Sequence, residues 1–427
     1  MKFLFVSLEG LIGDVAWQVS KEGHEARYAI SNPEEKDIAD GFVPKSDDWE
    51  KDVDWADIVV FDDVLGQGEK AQKLRQQGKA VVGGTPYTDR LEDDRSFGQN
   101  ELKALGIPII PFEECFSFDE AINFVRKQPA RYVIKPSGEA QNIKRLLFVG
   151  QEEDGQDIIH VLESYKKVYS DTVKVFQLQK RVMGVEVAVG AFFNGKRFLH
   201  PINVNFEHKK FFPGDIGPST GEMGTLMYWS KPNLIFNSTL QKLEPRLQKE
   251  GYTGYIDLNC IVNGQGIYPL EFTARFGYPT ISIQQEGMIT PMGEFLAAMA
   301  HGEDLELKTR KGFQLGVRVV VPPYPFDDPK TFEVNSRNRV IIFKKESLEG
   351  IHIEDVKLID GEWVIAGTTG VALIVVGLGQ TVQKAQEQAY SRLKNIMIPN
   401  MYYRTDIGNR WNEDSDRLHS WGYLRDT

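Results

Sequence analysis

Tyr255-Ile256-Asp257-Leu258-Asn259-Cys260-Ile261-Val262, then Asn263-Gly264-Gln265-Gly266, then Ile267-Tyr268-Pro269-Leu270-Glu271-Phe272-Thr273-Ala274-Arg275-Phe276-Gly277: this stretch decides the fold. Two apolar runs flank a polar Asn-Gly turn, which predicts a β-hairpin over residues 254–262 and 267–274. Turned there, the hairpin sets Asp257 and Glu271 opposite each other, each within an apolar strand. Two buried carboxylates need a compensating positive charge between them. Mg²⁺ suits, because it takes oxygen ligands from one or two carboxylates and from phosphates. Arg275, four residues past Glu271, falls on the same strand face and can meet a phosphate or a carboxylate. Read alone, the two acids and the arginine fit a structural ion-pair cluster about as well.

Three stretches upstream bear on the same chemistry. Strand 131–135 ends in Lys135-Pro136-Ser137-Gly138. A lysine there can set its ammonium against phosphate oxygens while the turn offers backbone N–H groups. In isolation the four residues read as a strand-ending turn, and the chain has no P-loop pattern. Phe176-Gln177-Leu178-Gln179-Lys180-Arg181-Val182-Met183-Gly184-Val185-Glu186 has the form of a linker strand. Its backbone can read an adenine edge, and Glu186 can accept from ribose hydroxyls; a solvated edge strand has the same pattern. Phe206-Glu207-His208-Lys209-Lys210 leads into residues 213–224, where four glycines and two prolines predict a loop of special dihedrals. Such a loop beside a histidine and two lysines points to an anion-handling site that closes, with a flexible surface loop as the alternative.

The flanks complete the domain plan. Residues 1–92 alternate short apolar runs (2–7, 26–30, 56–61, 79–82) with helical patterns (14–22, 69–77), which predicts a Rossmann-like parallel sheet. Residues 93–312 are α+β. They carry helices at 118–128 and 157–169, strands at 145–149, 173–182, 185–193 and 198–206, and a helix at 233–250. Residues 313–427 are β-rich from 316–321 through 376 and close with a helix over 381–395 that Thr381 caps. Gly377-Leu378-Gly379 lacks the third glycine of a dinucleotide motif and reads as a strand-to-helix turn. Cys115 and Cys260 supply neither a disulfide framework nor a zinc site unaided and read as core residues.

Composition narrows the function classes. The chain of 427 residues has 41% hydrophobic and 26% charged residues, the balance of a globular protein. No run approaches the ~20 apolar residues of a membrane helix. The first residues, Met1 to Asp14, hold Glu9 and no small-residue cleavage site, so they read as a buried strand and not as a signal peptide. A net charge of -11 argues against nucleic acid as a partner. The expected location is the cytoplasm.

In this order, the pieces resemble the ATP-grasp superfamily, and within it phosphoribosylamine–glycine ligase (glycinamide ribonucleotide synthetase). The resemblance rests on Glu207-His208-Lys209-Lys210 with the 214–224 loop, on Leu270-Glu271-Phe272 through Arg275-Phe276-Gly277, and on Tyr403-Arg404-Thr405-Asp406-Ile407-Gly408-Asn409-Arg410. It implies an ATP-grasp central domain with a nucleotide-covering part at about 112–178. The cofactors would be ATP and Mg²⁺ (or Mn²⁺), the partners small molecules, and the assembly a monomer or homodimer. It assigns Lys135 to the nucleotide phosphates, Gln179, Lys180 and Val182 to adenine, Glu186 to the ribose, and Lys144 and Arg95 to the nucleotide at large. Asp257, Glu271 and Thr273 fall at the metal. Arg275, with Lys135, falls at the reacting acyl phosphate. Glu207, His208, Lys209, Asp215, Gly217, Thr220 and Arg404 fall near the amino-acid and amine substrates.

The chain departs from that family at several positions. Thr273 stands where the family has a metal-binding Asn, and Tyr278 where it has Asp. Residues 139–144 lack the usual glycines of the nucleotide-covering loop. The Gly-Gly-Arg-Glu-His run after the first strand is replaced by Leu8-Glu9-Gly10-Leu11-Ile12-Gly13, without the phosphate-contacting Arg. The expected activity is carboxylate–amine ligation through an acyl phosphate, with glycine and phosphoribosylamine as the family pair. A different amino acid and amine, or nucleotide binding without turnover, are the alternatives.

Overall fold

The computed structural model describes residues 1–62, 66–137 and 146–424, which divide into two compact units. The first unit comprises Met1–Asp89, Val187–Leu258 and Thr273–Thr427; the second comprises Arg90–Glu186 and Asn259–Phe272.

The first unit opens with the expected Rossmann-like sheet. Its four strands lie in the order Glu25–Ile30, Lys2–Ser7, Ile58–Phe61, Ala80–Val82, all parallel. Both faces of the central strands are buried, which is why they read as unbroken apolar runs. Leu4, Val6, Val59, Phe61 and Val81 pack on Ala71 and Leu74 of the helix Gly68–Gln76.

A second sheet in this unit is antiparallel. Ile202–Glu207 pairs with Val185–Asn194 on one side and Gly224–Ser230 on the other. Gly224–Ser230 continues to Phe313–Val320, Val371–Gly379 and Ile351–Ile353. The strands of the last segment therefore extend the sheet of the middle segment. Helix Val382–Leu393 lies on Val371–Gly379, capped by Thr381, whose hydroxyl accepts from the Lys384 N–H. Gly377 and Gly379 belong to the strand itself. A Cβ on Gly377 would stand 2.2 Å from the Ala385 carbonyl oxygen, so the glycine is what lets the helix settle.

The structure corrects several sequence expectations. The helix expected over 233–250 is three pieces: Leu234–Ser238, a 3₁₀ turn Leu240–Leu243, and Glu244–Glu250. Pro245 has no N–H to give to a continuing helix and sits in the first turn of the last piece. The glycine-rich segment expected as a loop is a β-hairpin, Lys210–Phe212 paired with Ile216–Ser219. Its positive-φ residues Gly214, Asp215 and Gly217 form the turn and its shoulder. The strand expected over 173–182 is only Phe176–Lys180, because Val173 still donates to the Tyr169 carbonyl at the end of the preceding helix. The strand expected from 198 begins at Ile202.

The second unit is built on a four-stranded antiparallel sheet. Its order is Phe112–Cys115, Phe176–Lys180, Tyr132–Pro136, Phe148–Val149. Helices Phe118–Lys127 and Gln156–Tyr169 cover one face, burying Ile134, Phe176 and Leu178 with Ala121, Val125, Ile158 and Leu162. Residues 259–272 add the turn of the predicted hairpin, where the Asn263 side-chain oxygen accepts from the N–H groups of Gln265 and Gly266. Helix Arg95–Ala104, which the sequence reading passed over, is capped by Asp94.

Candidate active site

In the second unit, strand alternation creates a face of unusual composition. Lys135 pairs with Gln177, and Val133 with Gln179; across the next pair Glu114 meets Gln177 and Phe112 meets Gln179. Partners across an antiparallel ladder share a face. Lys135, Gln177, Gln179 and Glu114 thus line the side opposite the helices. Of these, Lys135 is 8% exposed, Gln177 0% and Gln179 1%. Ser96 joins them, donating to Glu114 at 3.1 Å and accepting from Gln177 Nε2 at 3.3 Å.

This buried face is incompletely satisfied. Gln177 Oε1, Gln179 Nε2, Ser137 Oγ and Arg95 Nε have no hydrogen-bond partner. Each such group costs about 1–3 kcal/mol, and together they call for a polar ligand. A nucleotide fits the set: two cations, several unpartnered donors and acceptors, and a linker strand. Along that linker the Lys180 N–H donates to the Pro111 carbonyl and the Arg181 N–H to the Arg131 carbonyl, both at 2.9 Å. Lys180 is exposed and Val182 partly so. The Glu186 carboxylate accepts from Asn259 Nδ2 at 3.4 Å. Lys144 lies outside the described residues.

The two strand acids differ in setting. In the first unit Asp257 is buried and accepts from the Tyr255 hydroxyl at 3.1 Å, which in turn accepts from Asn203 Nδ2 at 2.8 Å. Gly190 makes room for this chain, since a Cβ there would sit 2.0 Å from the Tyr255 hydroxyl. In the second unit Glu271 is exposed, contrary to the expectation of two buried carboxylates. Adjacent strand residues point to opposite faces, and Phe272 takes the buried side. Thr273 is partly exposed. Arg275 Nη1 donates to the Phe276 carbonyl at 2.8 Å, with the guanidinium 5.8 Å from the Tyr278 ring. Among the described residues, no group of three or more His, Cys, Asp or Glu side chains is arranged to hold a metal.

The expected substrate residues of the first unit separate into two roles. Arg404 is fully buried and serves the fold. It donates to both Asp406 oxygens at 2.8 and 2.7 Å, to Asp215 at 2.9 Å and to the Lys210 carbonyl at 2.9 Å. His208 is equally interior, its Nε2 accepting from the Gly408 N–H at 3.0 Å. Burial depresses its pKa, helped by the Arg410 and Arg404 cations. Asp215 is held well below the usual carboxylate range by its contact with His208 and by the same two arginines. Thr220 closes the hairpin, its hydroxyl and N–H both donating to the Lys209 carbonyl at 2.9 and 2.8 Å. Glu207 and Lys209 stay nearer the outside, 3.4 Å apart, and Gly217 is exposed.

Sequence reasoning did not single out Gln177 or Glu222. For Gln177 the signal was present, since polar residues alternating with Phe176 and Leu178 predict a second, polar face. Glu222, one acid in a glycine-rich stretch, carried no such signal.

Comparison with known proteins accords with this architecture. The fold is that of ATP-grasp proteins. The solved phosphoribosylamine–glycine ligase of Thermotoga maritima superposes with a TM-score of 0.71 at 22% identity, covering 96% of this chain and 100% of that one. A biotin carboxylase of Campylobacter jejuni gives 0.66 at 13% identity, covering 99% and 98%. The model of the phosphoribosylglycinamide synthetase ATP-grasp (A) domain matches residues 93–281, and that of the synthetase C domain residues 314–410. The chain belongs to this phosphoribosylglycinamide synthetase family of ATP-grasp proteins. Curated phosphoribosylamine–glycine ligases of Streptococcus suis and Caldanaerobacter subterraneus are 27% and 26% identical to it. The first match covers 84% of this chain and 85% of the relative, the second 78% and 80%.

Proposed function

We propose that the protein is an ATP-dependent carboxylate–amine ligase, forming an amide with release of ADP and phosphate, with glycine and phosphoribosylamine as its first candidate pair. The observation that carries this reading is the buried polar face of Lys135, Gln177 and Gln179 with its unpartnered atoms. MgATP supplies the phosphoryl group that activates the carboxylate; the amine then attacks the activated carbonyl carbon, the C–N bond forms and phosphate leaves.

The chain's residues take these parts. Lys135 and Arg95 offset phosphate charge, and Lys144 joins them. Gln179, Lys180 and Val182 read the adenine, and Glu186 accepts from the ribose. Asp257, Glu271 and Thr273 would hold Mg²⁺, and Mn²⁺ in its place. Arg275 neutralises charge that develops on the activated carboxylate. Glu207, Lys209 and the hairpin with Asp215, Gly217 and Thr220 stand at the substrates, with His208 and Arg404 positioning them from below. The three sequence segments 1–92, 93–312 and 313–427 correspond, on this reading, to entry, nucleotide and closing modules. A cytoplasmic monomer or homodimer that engages neither nucleic acid nor membrane completes the proposal; no described helix is long and apolar enough to cross a membrane.

The test is ADP release with glycine plus phosphoribosylamine, against a panel of other amino acids and amines. Release only with another pair reassigns the substrates. MgATP binding by calorimetry without turnover on any mixture favours the second reading, a nucleotide-binding protein, for which Thr273 in place of a metal-binding Asn is the motive. Glu271→Gln should abolish turnover under the first reading.

A further inference from the structure

We infer that the cavity between segment 344–350 and the last turn of helix Val382–Leu393 is a binding site for phosphate. The inference does not depend on the ligase reading, and every residue it uses belongs to the first unit.

The cavity is built by ties between the two segments. Strand Ile342–Phe343 pairs with Ile396–Met397. Just beyond it, the Lys344 N–H donates to the Asn395 carbonyl at 2.9 Å and Lys344 Nζ to the Lys394 carbonyl at 2.8 Å. Gly350 turns the segment back with φ +67°, and a Cβ there would stand 2.3 Å from Arg392 Nη1. The glycine thus leaves the guanidinium its place, donating to the Val376 carbonyl and pairing with Glu349 at 2.7 Å. The space left is about 180 Å³, lined by Lys345, Ser347, Glu349, Ser391, Arg392 and Asn395, with Ile351 the one apolar residue.

Size and chemistry select the occupant. Pockets for drug-sized ligands run from ~300 Å³ upward, so this one suits a small ion. Asn395 is buried, yet its Oδ1 has no hydrogen-bond partner. Its Nδ2 reaches the Lys345 carbonyl at 3.4 Å, which sets the amide's orientation, since the amide oxygen has nothing to donate there. Among the described residues, the Lys345 ammonium and the Ser347 and Ser391 hydroxyls have no protein partner either. The lining carries two cations, Lys345 and Arg392, against one acid, Glu349, which Arg392 already pairs. The carbonyls at the helix C-terminus oppose an anion with a partial charge, which the Lys344 ammonium offsets at Lys394. An anion therefore meets a net positive lining, in a chain whose net charge is -11. The Asn395 oxygen adds a second condition: the anion must also donate a hydrogen bond. Phosphate near neutral pH meets both. Its oxygens accept from Lys345, Arg392 and the two hydroxyls, and its P–OH donates to Asn395 Oδ1. Sulfate matches its shape and charge but has no proton to give.

Calorimetric titration of the full-length protein with sodium phosphate and with sodium sulfate, near neutral pH and at equal ionic strength, tests this. Phosphate should bind about tenfold or more tightly than sulfate, because sulfate leaves the Asn395 oxygen unmet. Asn395→Leu, which removes that acceptor at similar size, should bring phosphate down to the affinity of sulfate. Lys345→Gln should weaken both anions about tenfold. Its side chain is exposed, so this variant still answers if Asn395→Leu fails to fold. Lys135→Ala, on the face proposed for the nucleotide, should keep the phosphate signal. Equal affinity for the two anions, or full phosphate affinity in Lys345→Gln, overturns the inference. So does loss of the signal in Lys135→Ala, which would assign it to the nucleotide face. No phosphate binding at all leaves the cavity to water and overturns the inference as well. None of these readings involves turnover, so failure of the ligase assay bears on the proposed function alone.

Discussion

Raising the pH from 6.5 to 9 should unfasten a buried charge network and lower stability by about 3 kcal/mol. His352 sits inside the first unit with Nδ1 2.8 Å from Asp14 and Nε2 3.3 Å from Glu286. Asp14 also accepts from the Ile353 N–H at 3.2 Å and from Gln285 at 2.5 Å, so its position is fixed. Burial alone would depress the imidazole, but the two carboxylates overcome it and raise its pKa to about 9. In the unfolded chain a histidine titrates near ~6.5, and one unit of difference is about 1.4 kcal/mol. The folded state therefore keeps a proton the unfolded state has lost. The contribution is complete below pH ~6.5, declines as pH rises, and is gone above about 9. The Cys115 thiol, pushed up to about 12 by burial, adds a second loss only at the alkaline end. Burial also lifts the Asp355 and Glu222 carboxyls well above the usual range, so the unfolding slope sums several groups and the His352 resonances isolate its share. Urea unfolding at half-unit pH steps measures the slope. The His352 ring resonances, followed by NMR among seven histidines, give the midpoint directly. A His352 midpoint at or below 6.5, or flat stability across the interval, refutes the reasoning.

Three further outcomes follow from the geometry. Gln179→Leu removes a buried unpartnered Nε2, so stability in urea should rise by about 1 kcal/mol while calorimetry shows weaker MgATP binding; a loss of stability would contradict the reading of that face. Arg404→Met strands Asp215 and Asp406 beside each other and should cost about 3 kcal/mol in thermal unfolding, with no such cost implying that water replaces the guanidinium. Gly377→Ala drives a methyl to 2.2 Å from the Ala385 carbonyl oxygen and should cost about 1–3 kcal/mol, measured by the shift in melting temperature.

Much of this was legible in the sequence because it is local. Short unbroken apolar runs mark the parallel strands, and Asn263-Gly264 marks the turn of the Asp257–Glu271 hairpin. Lys135 at the end of an apolar strand was visible too, and the structure gives it Gln177 as a neighbour. What escaped depends on partners distant in the chain. Nothing near His208 or Arg404 announces that they meet across 196 residues, so the interior setting of both was not legible. Glu222 owes its setting to Arg318, 96 residues on. The broken helix over 233–250 was legible in principle, since Pro245 lies within it, but the apolar spacing on either side outweighed the proline.

The tie between Arg404 and the hairpin also orders events during synthesis. Residues 210–219 leave the ribosome almost two hundred residues before the guanidinium that anchors them. Until then Asp215 and His208 have neither Arg404 nor the Gly408 amide to meet, and that corner of the first unit waits. A nascent chain stalled or clipped short of residue 404 would hold a finished Rossmann-like sheet and an unset hairpin. Quality control by proteolysis would find its earliest cut there.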